Sequence, residues 1–290
     1  MELISGYMRD EQLRHALNEL TAKTFGFDFE GWVTGGYFEG DYIPYSFIEN
    51  GKILANVSAN IMKFDQNGRQ KNYIQLGTVM TDEPHRRQGL AGSLIMHVIE
   101  KYKDSDGIYL FGNLDSLGFY RKTGFKEGLE YRCSVKKEFL PKGDKSGFVP
   151  VSPEDSAMKE RYTDAVRNSA VNSSLEQMNK FGLQMFYTSG LDGVSYAEDL
   201  DCFIVSEKDG DTLLLNSVIS KNTVSLKDVL DRLEGGMAEI KPGFTPFAQD
   251  LEMCELTEYD GADDYRLFYI GDEIKSIEEE RLYFPEFSHA

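Results

Sequence analysis

The sequence predicts an α+β protein: a mixed, mostly antiparallel sheet flanked by helices, followed by a second, smaller α/β unit. Three observations lead there. Residues 43–81 alternate apolar runs with short turn signals, as an antiparallel meander does. A helical stretch at 89–103 leads directly into a further strand at 108–111. The 290 residues exceed the roughly 100–200 of a typical domain. A segment at 141–153 with three prolines and two glycines marks a linker between units at 1–140 and 154–290.

The elements follow in order. Leu3 and Ile4 open a short strand, and Asp10 is the N-cap of a helix whose stripe Leu13, Ala16, Leu17 and Leu20 shares one face. A short helical or irregular stretch at 25–37 holds the only tryptophan, Trp32. Strands at 43–48 and 53–64 are joined by the turn Glu49-Asn50-Gly51-Lys52, and Asp65-Gln66-Asn67-Gly68 turns the chain into a strand at 73–81. A polar, Pro-containing loop at 82–87 precedes the helix at 89–103, with Leu90, Leu94, Ile95, Val98 and Tyr102 inward. A short helix at 115–122 is stopped by Thr123-Gly124, and 131–135 is a strand. Beyond the linker the pattern predicts helices at 154–168 and 174–186 and a hairpin of 202–206 and 212–219 around Asp209-Gly210. A helix at 225–233 and strands at 237–244, 253–257 and 265–270 complete an order that loosely repeats the first half.

Composition narrows the function classes. With 41% hydrophobic and 28% charged residues the chain can bury a sizeable core, which excludes wholesale disorder. No segment reaches the 18 apolar residues of a membrane span, and residues 1–12 mix charges where a signal peptide is apolar, so a cytoplasmic protein without a membrane partner is expected. Cys133, Cys202 and Cys254 have neither metal-ligand nor disulfide spacing, so they read as buried thiols and no metal is expected. Net charge is −18 and unevenly placed: residues 1–150 carry 19 basic and 20 acidic side chains, residues 151–290 carry 12 and 29. Such an acidic half argues against nucleic acid and anionic membranes and suits a cationic partner.

The chemistry centres on one loop. A strand runs into Arg86-Arg87-Gln88-Gly89-Leu90-Ala91-Gly92 and then a helix, so small residues let backbone N–H groups and the helix dipole face an anion. Gly89, Ala91 and Gly92 keep the approach open, while Arg86 and Arg87 add charge-assisted contacts. No Walker GxxxxGK(S/T) is present, and Arg87 breaks a GxGxxG reading.

A second constellation follows about 25 residues on: Asn113, Ser116, Phe119, Tyr120, Gly124 and Phe125. Together the two resemble the GNAT family of N-acetyltransferases. Arg86, Gly89 and Ala91 match its Arg/Gln-x-x-Gly-x-Gly/Ala hallmark, and the second set matches its Asn-x-x-Ala-x-x-Phe-Tyr-x-x-x-Gly-Phe motif. The resemblance covers about residues 2–137. The second half carries neither motif, but its element order and the ending Phe284-Pro-Glu-Phe-Ser-His-Ala resemble GNAT proteins with a second, degenerate GNAT-like domain.

The resemblance implies roles. The amides of Arg87, Gln88, Gly89, Leu90, Ala91 and Gly92, with Arg86 at the loop's start, would hold the pyrophosphate of acetyl-CoA. Val79, Met80 and Thr81 form the splayed strand edge, with Val79 and Thr81 pairing with the pantetheine arm and the acetyl group beside Val79. Asn113 would contact the coenzyme arm, with Ser116 and Phe119 beside it, and Tyr120 would lie near the sulfur as general acid. The acceptor is then a primary amine on a cationic small molecule, a polyamine or aminoglycoside-like compound, or a lysine side chain. A homodimer stays open. Alternatives are a non-catalytic acetyl-CoA-binding regulatory module and an acidic interaction protein docking a basic partner.

An ammonium with a pKa near 10.4 must lose a proton before it attacks a thioester, so a base is needed. Where histone-type members carry a glutamate, eleven residues before the loop Arg, this sequence has Gln75, which cannot serve. Asp82 and Glu83 are near in sequence and read as solvated loop carboxylates, with Glu49 no better placed. His15, His85 and His97 read as structural. His289 lies in an apolar tail, and, as in some tandem GNAT enzymes, the carboxylate of Ala290 is a candidate.

Overall fold

A computed structural model describes residues 1–262 and 264–290. Its first half contains β1 (Glu2–Ser5), α1 (Glu11–Phe25), α2 (Glu30–Thr34), β2 (Tyr42–Glu49), β3 (Lys52–Gln66), β4 (Arg69–Thr81), α3 (Leu90–Lys101), β5 (Gly107–Asn113), α4 (Leu117–Lys122), β6 (Lys126–Gly128) and β7 (Glu130–Val135). The second half adds β8 (Val149–Pro150), α5 (Ser156–Arg167), β9 (Leu175–Gln177), α6 (Phe181–Thr188), β10 (Val194–Ala197), β11 (Cys202–Asp209), β12 (Thr212–Ser220), α7 (Leu226–Leu230), β13 (Glu239–Pro242), β14 (Cys254–Tyr259), β15 (Tyr265–Ile270) and α8 (Ser276–Glu279).

Local chemistry explains the first elements. Asp10 caps α1 by accepting from the Leu13 amide at 3.0 Å, and Gly26 ends the helix in a left-handed conformation. Asn50-Gly51 and Asn67-Gly68 all have positive φ, the geometry of two-residue turns that match strand twist. From α3, Leu94, Ile95 and Val98 are buried against Tyr45, Ala55, Val57, Ile74, Leu76 and Ile108, with Leu90 and Tyr102 at the edge of that core. All three cysteines are buried and unbridged. Among the described residues no helix is long and apolar enough to cross a membrane.

The larger sheet has eight strands in the order β1-β2-β3-β4-β5-β15-β6, with β9 added to β3 beyond the end of β2. The smaller has the order β13-β12-β11-β10-β8. In both, an antiparallel meander (β2-β3-β4, then β10-β11-β12) passes through a helix (α3, then α7) to a parallel neighbour (β5, then β13). The second has no such loop: residues 221–225 before α7 contain no glycine, and α7 is five residues long.

Two expectations need correction. The boundary at 141–153 does not separate two sequential sheets, because β9 and β15 return to the larger one and β8 lies inside the expected linker. The outer edge of β5 needs a partner, and β15 supplies it with Leu267 and Phe268 buried at 3% and 0% exposure. The helix expected over 174–186 is instead β9 followed by the shorter α6. Free backbone groups on the edge of β3 take β9 as a strand, and Asn179 extends the pairing by accepting from the Lys63 amide at 2.9 Å and donating to the Ile61 carbonyl at 2.7 Å. Tertiary pairing overrides helical periodicity there.

Candidate active site

The site opens where two parallel strands part. β4 pairs with β5 only at residues 73–75 with 107–109; beyond that β5 pairs on its other edge with β15 and β4 continues alone on that side. A bulge starts the divergence, since the β3–β4 register shifts between Asn56 and Ser58 and Thr78 has φ 41°, a costly conformation for a β-branched residue. Buried polar groups hold it. The Thr78 hydroxyl lies 2.8 Å from that of Tyr42 and 2.7 Å from that of Ser58, while Asn56 Nδ2 donates to the Thr78 carbonyl at 3.0 Å. Asn56 in turn accepts from Ser46 at 2.7 Å. Sequence reading passed over this network, although Asn56, Ser58 and Asn60 repeat at period two in an otherwise apolar strand, which is a visible signal.

Past the bulge, Val79 is half-buried against the α3 core, Met80 is buried on the opposite face beside Thr21, and Thr81 is half-exposed at the strand end. The loop then turns through Arg87 and Gly89, with φ 63° and 80°, into α3. The amides of Leu90, Ala91 and Gly92 begin the helix and have no acceptor one turn earlier. Nothing lies within 4 Å of where a Gly89 Cβ would stand, so the space above these amides is open. Arg86, Arg87 and Gln88 are exposed around it, with Arg86 Nε donating to the Thr81 carbonyl at 3.3 Å.

Asp82 corrects its sequence reading. It is buried at 1% exposure and joined to Lys52 at 2.6 Å and Lys23 at 3.0 Å, and their ammonium groups pull its carboxyl down to about 2. Its two ion pairs tie the start of the loop to α1 and β3. Glu83 is exposed, and Glu49 pairs with the Met1 amino group at 3.0 Å. His85 sits 3.5 Å from Asp82, and His15 and His97 are exposed on helices.

Across the opening, the ring of Tyr120 lies on Gly112 of β5, where a Cβ would stand 2.8 Å from its Cε2. Burial pushes the phenol up to about 12, so it is protonated at neutral pH, and its hydroxyl has no hydrogen-bond partner among the described residues. Phe119 lies 3.8 Å from the Cβ position of Gly92, which ties α4 to the start of α3. Asn113 is exposed at the end of β5, with Ser116 half-buried at the head of α4. The two motifs therefore meet from opposite sides of one opening.

The chain's last residues reach the same place from the other half. The backbone amide of Tyr283 donates to Thr245, that of Phe284 to Glu130 at 3.0 Å, and that of Glu286 to the Gly243 carbonyl. The ring of His289 stacks on Phe111 at 3.8 Å, and burial pulls the imidazole down to about 3, so it is a neutral wedge and no base at pH 7. Tyr187 donates to the His289 carbonyl, and the Ala290 amide donates to Gln75 Oε1 at 3.0 Å. Gly77 leaves the room: a Cβ there would stand 2.6 Å from the Ala290 oxygen. Gln75, unfit as a base, thus holds Ala290 at the point where β4 and β5 part.

Ala290 also lines a cavity of about 320 Å³. Its walls come from α1, α2, β2 to β4, β9 and α6, and no Asp or Glu of the acidic second half is among them; Glu39 and Asp41 are its side-chain carboxylates. Neither the cavity nor its aromatic wall was foreseen from sequence, because its residues come from six separate segments.

Glu130 behind the tail carries a pH signature. It is buried, accepts from Phe284 and from the Tyr265 hydroxyl at 3.3 Å, and burial pushes its carboxyl up to about 8. The unfolded chain releases this proton near 4.5 and the folded chain holds it until about 8, so stability is full below about 4.5 and falls as pH rises to about 8. The expected slope is at most about 1.4 kcal/mol per pH unit. In Glu130→Gln, denaturant titrations at pH 5 and 8 should differ less than in the parent; an unchanged difference would show that Glu130 is ionised in the fold.

A splayed mixed sheet, with a glycine-bearing loop leading into a helix beside the opening, defines the N-acetyltransferase fold. Solved structures share it over most of this chain. A probable N-acyltransferase from Enterococcus faecalis V583 is 11% identical with a TM-score of 0.53, covering 94% of this chain and 74% of its own. A GCN5-related N-acetyltransferase from Kribbella flavida is 17% identical with a TM-score of 0.54, covering 92% and 71%. Eis1 from Mycobacterium abscessus is 11% identical with a TM-score of 0.52, covering 92% and 73%. Residues 8–125 match the acetyltransferase (GNAT) family model. No curated protein matches the sequence.

Proposed function

We propose that the protein transfers the acetyl group of acetyl-CoA to a primary amine in the opening between β4 and β5. The observation that carries this reading is the continuous path from the unpaired edge of β4, over the bulge at Thr78, to the open amides after Gly89. Those amides and Arg86 and Arg87 suit a pyrophosphate, and the 79–81 edge suits the amide-bearing pantetheine arm.

The acceptor enters from the cavity as an ammonium and must lose a proton. In a chain that ends at Ala290, the base is its carboxylate, held beside Gly77 by Gln75. The freed amine attacks the thioester carbonyl, a N–C bond forms, and the charge on the carbonyl oxygen meets a backbone N–H of β4. As the C–S bond breaks, Tyr120 gives its proton to the sulfur, and the second proton leaving the nitrogen restores the phenol through solvent in the opening. Its phenol stands high, but the burial that lifts it lifts a thiol in the same site, so the two stay matched.

Thermal unfolding tests the coenzyme site. At 100 times its dissociation constant acetyl-CoA should add about 2.7 kcal/mol to the folded state. Gly89→Glu, which sets a carboxylate among the amides, should abolish that shift. A parent protein that acetyl-CoA does not stabilise would defeat the proposal.

A further inference from the structure

We infer that the acceptor is a primary amine carrying one compact apolar or aromatic body, and that polyamines and polyhydroxylated aminoglycosides are poor substrates; this rests on the acetyl-transfer reading above. The cavity's surface is the first argument. Trp32 packs edge-on against Phe186 at 5.8 Å and Tyr42 at 6.1 Å, and Phe27 meets Phe186 at 5.5 Å. Phe27 and Tyr187, 36% and 45% exposed, leave an apolar rim on it.

The second argument is where the polar groups of the wall point. Trp32 Nε1 donates to the Gly182 carbonyl at 2.7 Å, the Tyr42 hydroxyl meets Thr78, and Tyr187 donates to His289. Asn179 is engaged at both ends by the backbone of β3, and Asn60 Nδ2 donates to the Gln75 carbonyl at 3.1 Å. These groups serve the protein's own backbone and side chains, so a ligand rich in hydroxyl or ammonium groups would bury them without partners. One cation is provided for. No Lys or Arg is among the lining residues, Glu39 is paired with Arg167, and Asp41, half-buried, hydrogen-bonded by Asn179 and within the field of Lys63, lines the cavity without an ion-pair partner within 4 Å among the described residues. A volume of about 320 Å³ is at the small end for ligand sites and fits a single ring with a short amine arm.

Trp32 is the only tryptophan, so its emission reports the cavity without any need for turnover. The test titrates 2-phenylethylamine and spermidine into the full chain with coenzyme A, and measures acetylation of each with acetyl-CoA. The expected result is a saturable emission change with 2-phenylethylamine and a kcat/KM at least about 10-fold above that for spermidine or kanamycin. Asp41→Asn should raise KM for 2-phenylethylamine about 10-fold or more, with kcat and the acetyl-CoA thermal shift retained. Equal or faster acetylation of spermidine or kanamycin would overturn the inference while leaving acetyl transfer intact. If acetyl-CoA neither binds nor is consumed, the acetyl-transfer reading fails, and emission alone decides: saturation by 2-phenylethylamine supports the apolar-amine cavity, and no response overturns it.

Discussion

Tyr120→Phe is expected to slow acetyl transfer by roughly 100- to 10,000-fold, the usual contribution of a positioned general acid. The substitution removes one oxygen from a hydroxyl that bonds no other described group, while the ring's contacts with Gly112 and, at 5.4 Å, with Phe268 remain. Thermal stability and the acetyl-CoA shift should therefore be retained. The hydroxyl is not among the fully buried unpartnered polar atoms, so its loss leaves no cavity of consequence and the phenylalanine variant should be about as stable as the parent. Single-turnover rates give the clearest answer. A variant that folds, binds coenzyme and turns over at the parent rate would remove Tyr120 from the chemistry.

The second large effect is expected at Gly77. An alanine there would place a methyl group 2.6 Å from the Ala290 oxygen, 2.9 Å from its carbon and 2.9 Å from Asn60 Nδ2. Contacts that short force something to move, and Asn60 is held by the Gln75 carbonyl, so the last residue is what shifts. Where the chain ends at Ala290 and its carboxylate takes the proton, that displacement should lower kcat by about 100-fold or more. Acetyl-CoA should still stabilise the variant, because the loop at 86–92 lies beyond the bulge. If Gly77→Ala keeps full kcat, Ala290 is not at the reacting atoms and the proton goes elsewhere.

The two variants probe groups of different visibility. Tyr120 stands in a local motif, Phe119-Tyr120 before Gly124-Phe125, and its placement depends on a short helix and the glycine it covers. Gly77 looked like one more residue of a strand. Its function depends on what approaches from 213 positions away, and nothing in the neighbouring sequence encodes that. Asp82 shows the reverse error: a carboxylate in a polar loop looks solvated until Lys23 and Lys52 converge on it from α1 and β3.

By itself the sequence determined what short-range rules govern. The capped α1, the two Asn-Gly hairpins, the inward face of α3, the small residues at its start and the paired motifs at 86–92 and 113–125 all rest on residues within a few positions of one another. Tertiary structure alone decided the rest. It set β15 between β5 and β6, recruited β9 as a strand, closed an aromatic cavity from both halves and brought Ala290 to the opening. The physical reason is that unpaired strand edges and buried polar groups accept any partner of the right geometry, whatever its distance along the chain.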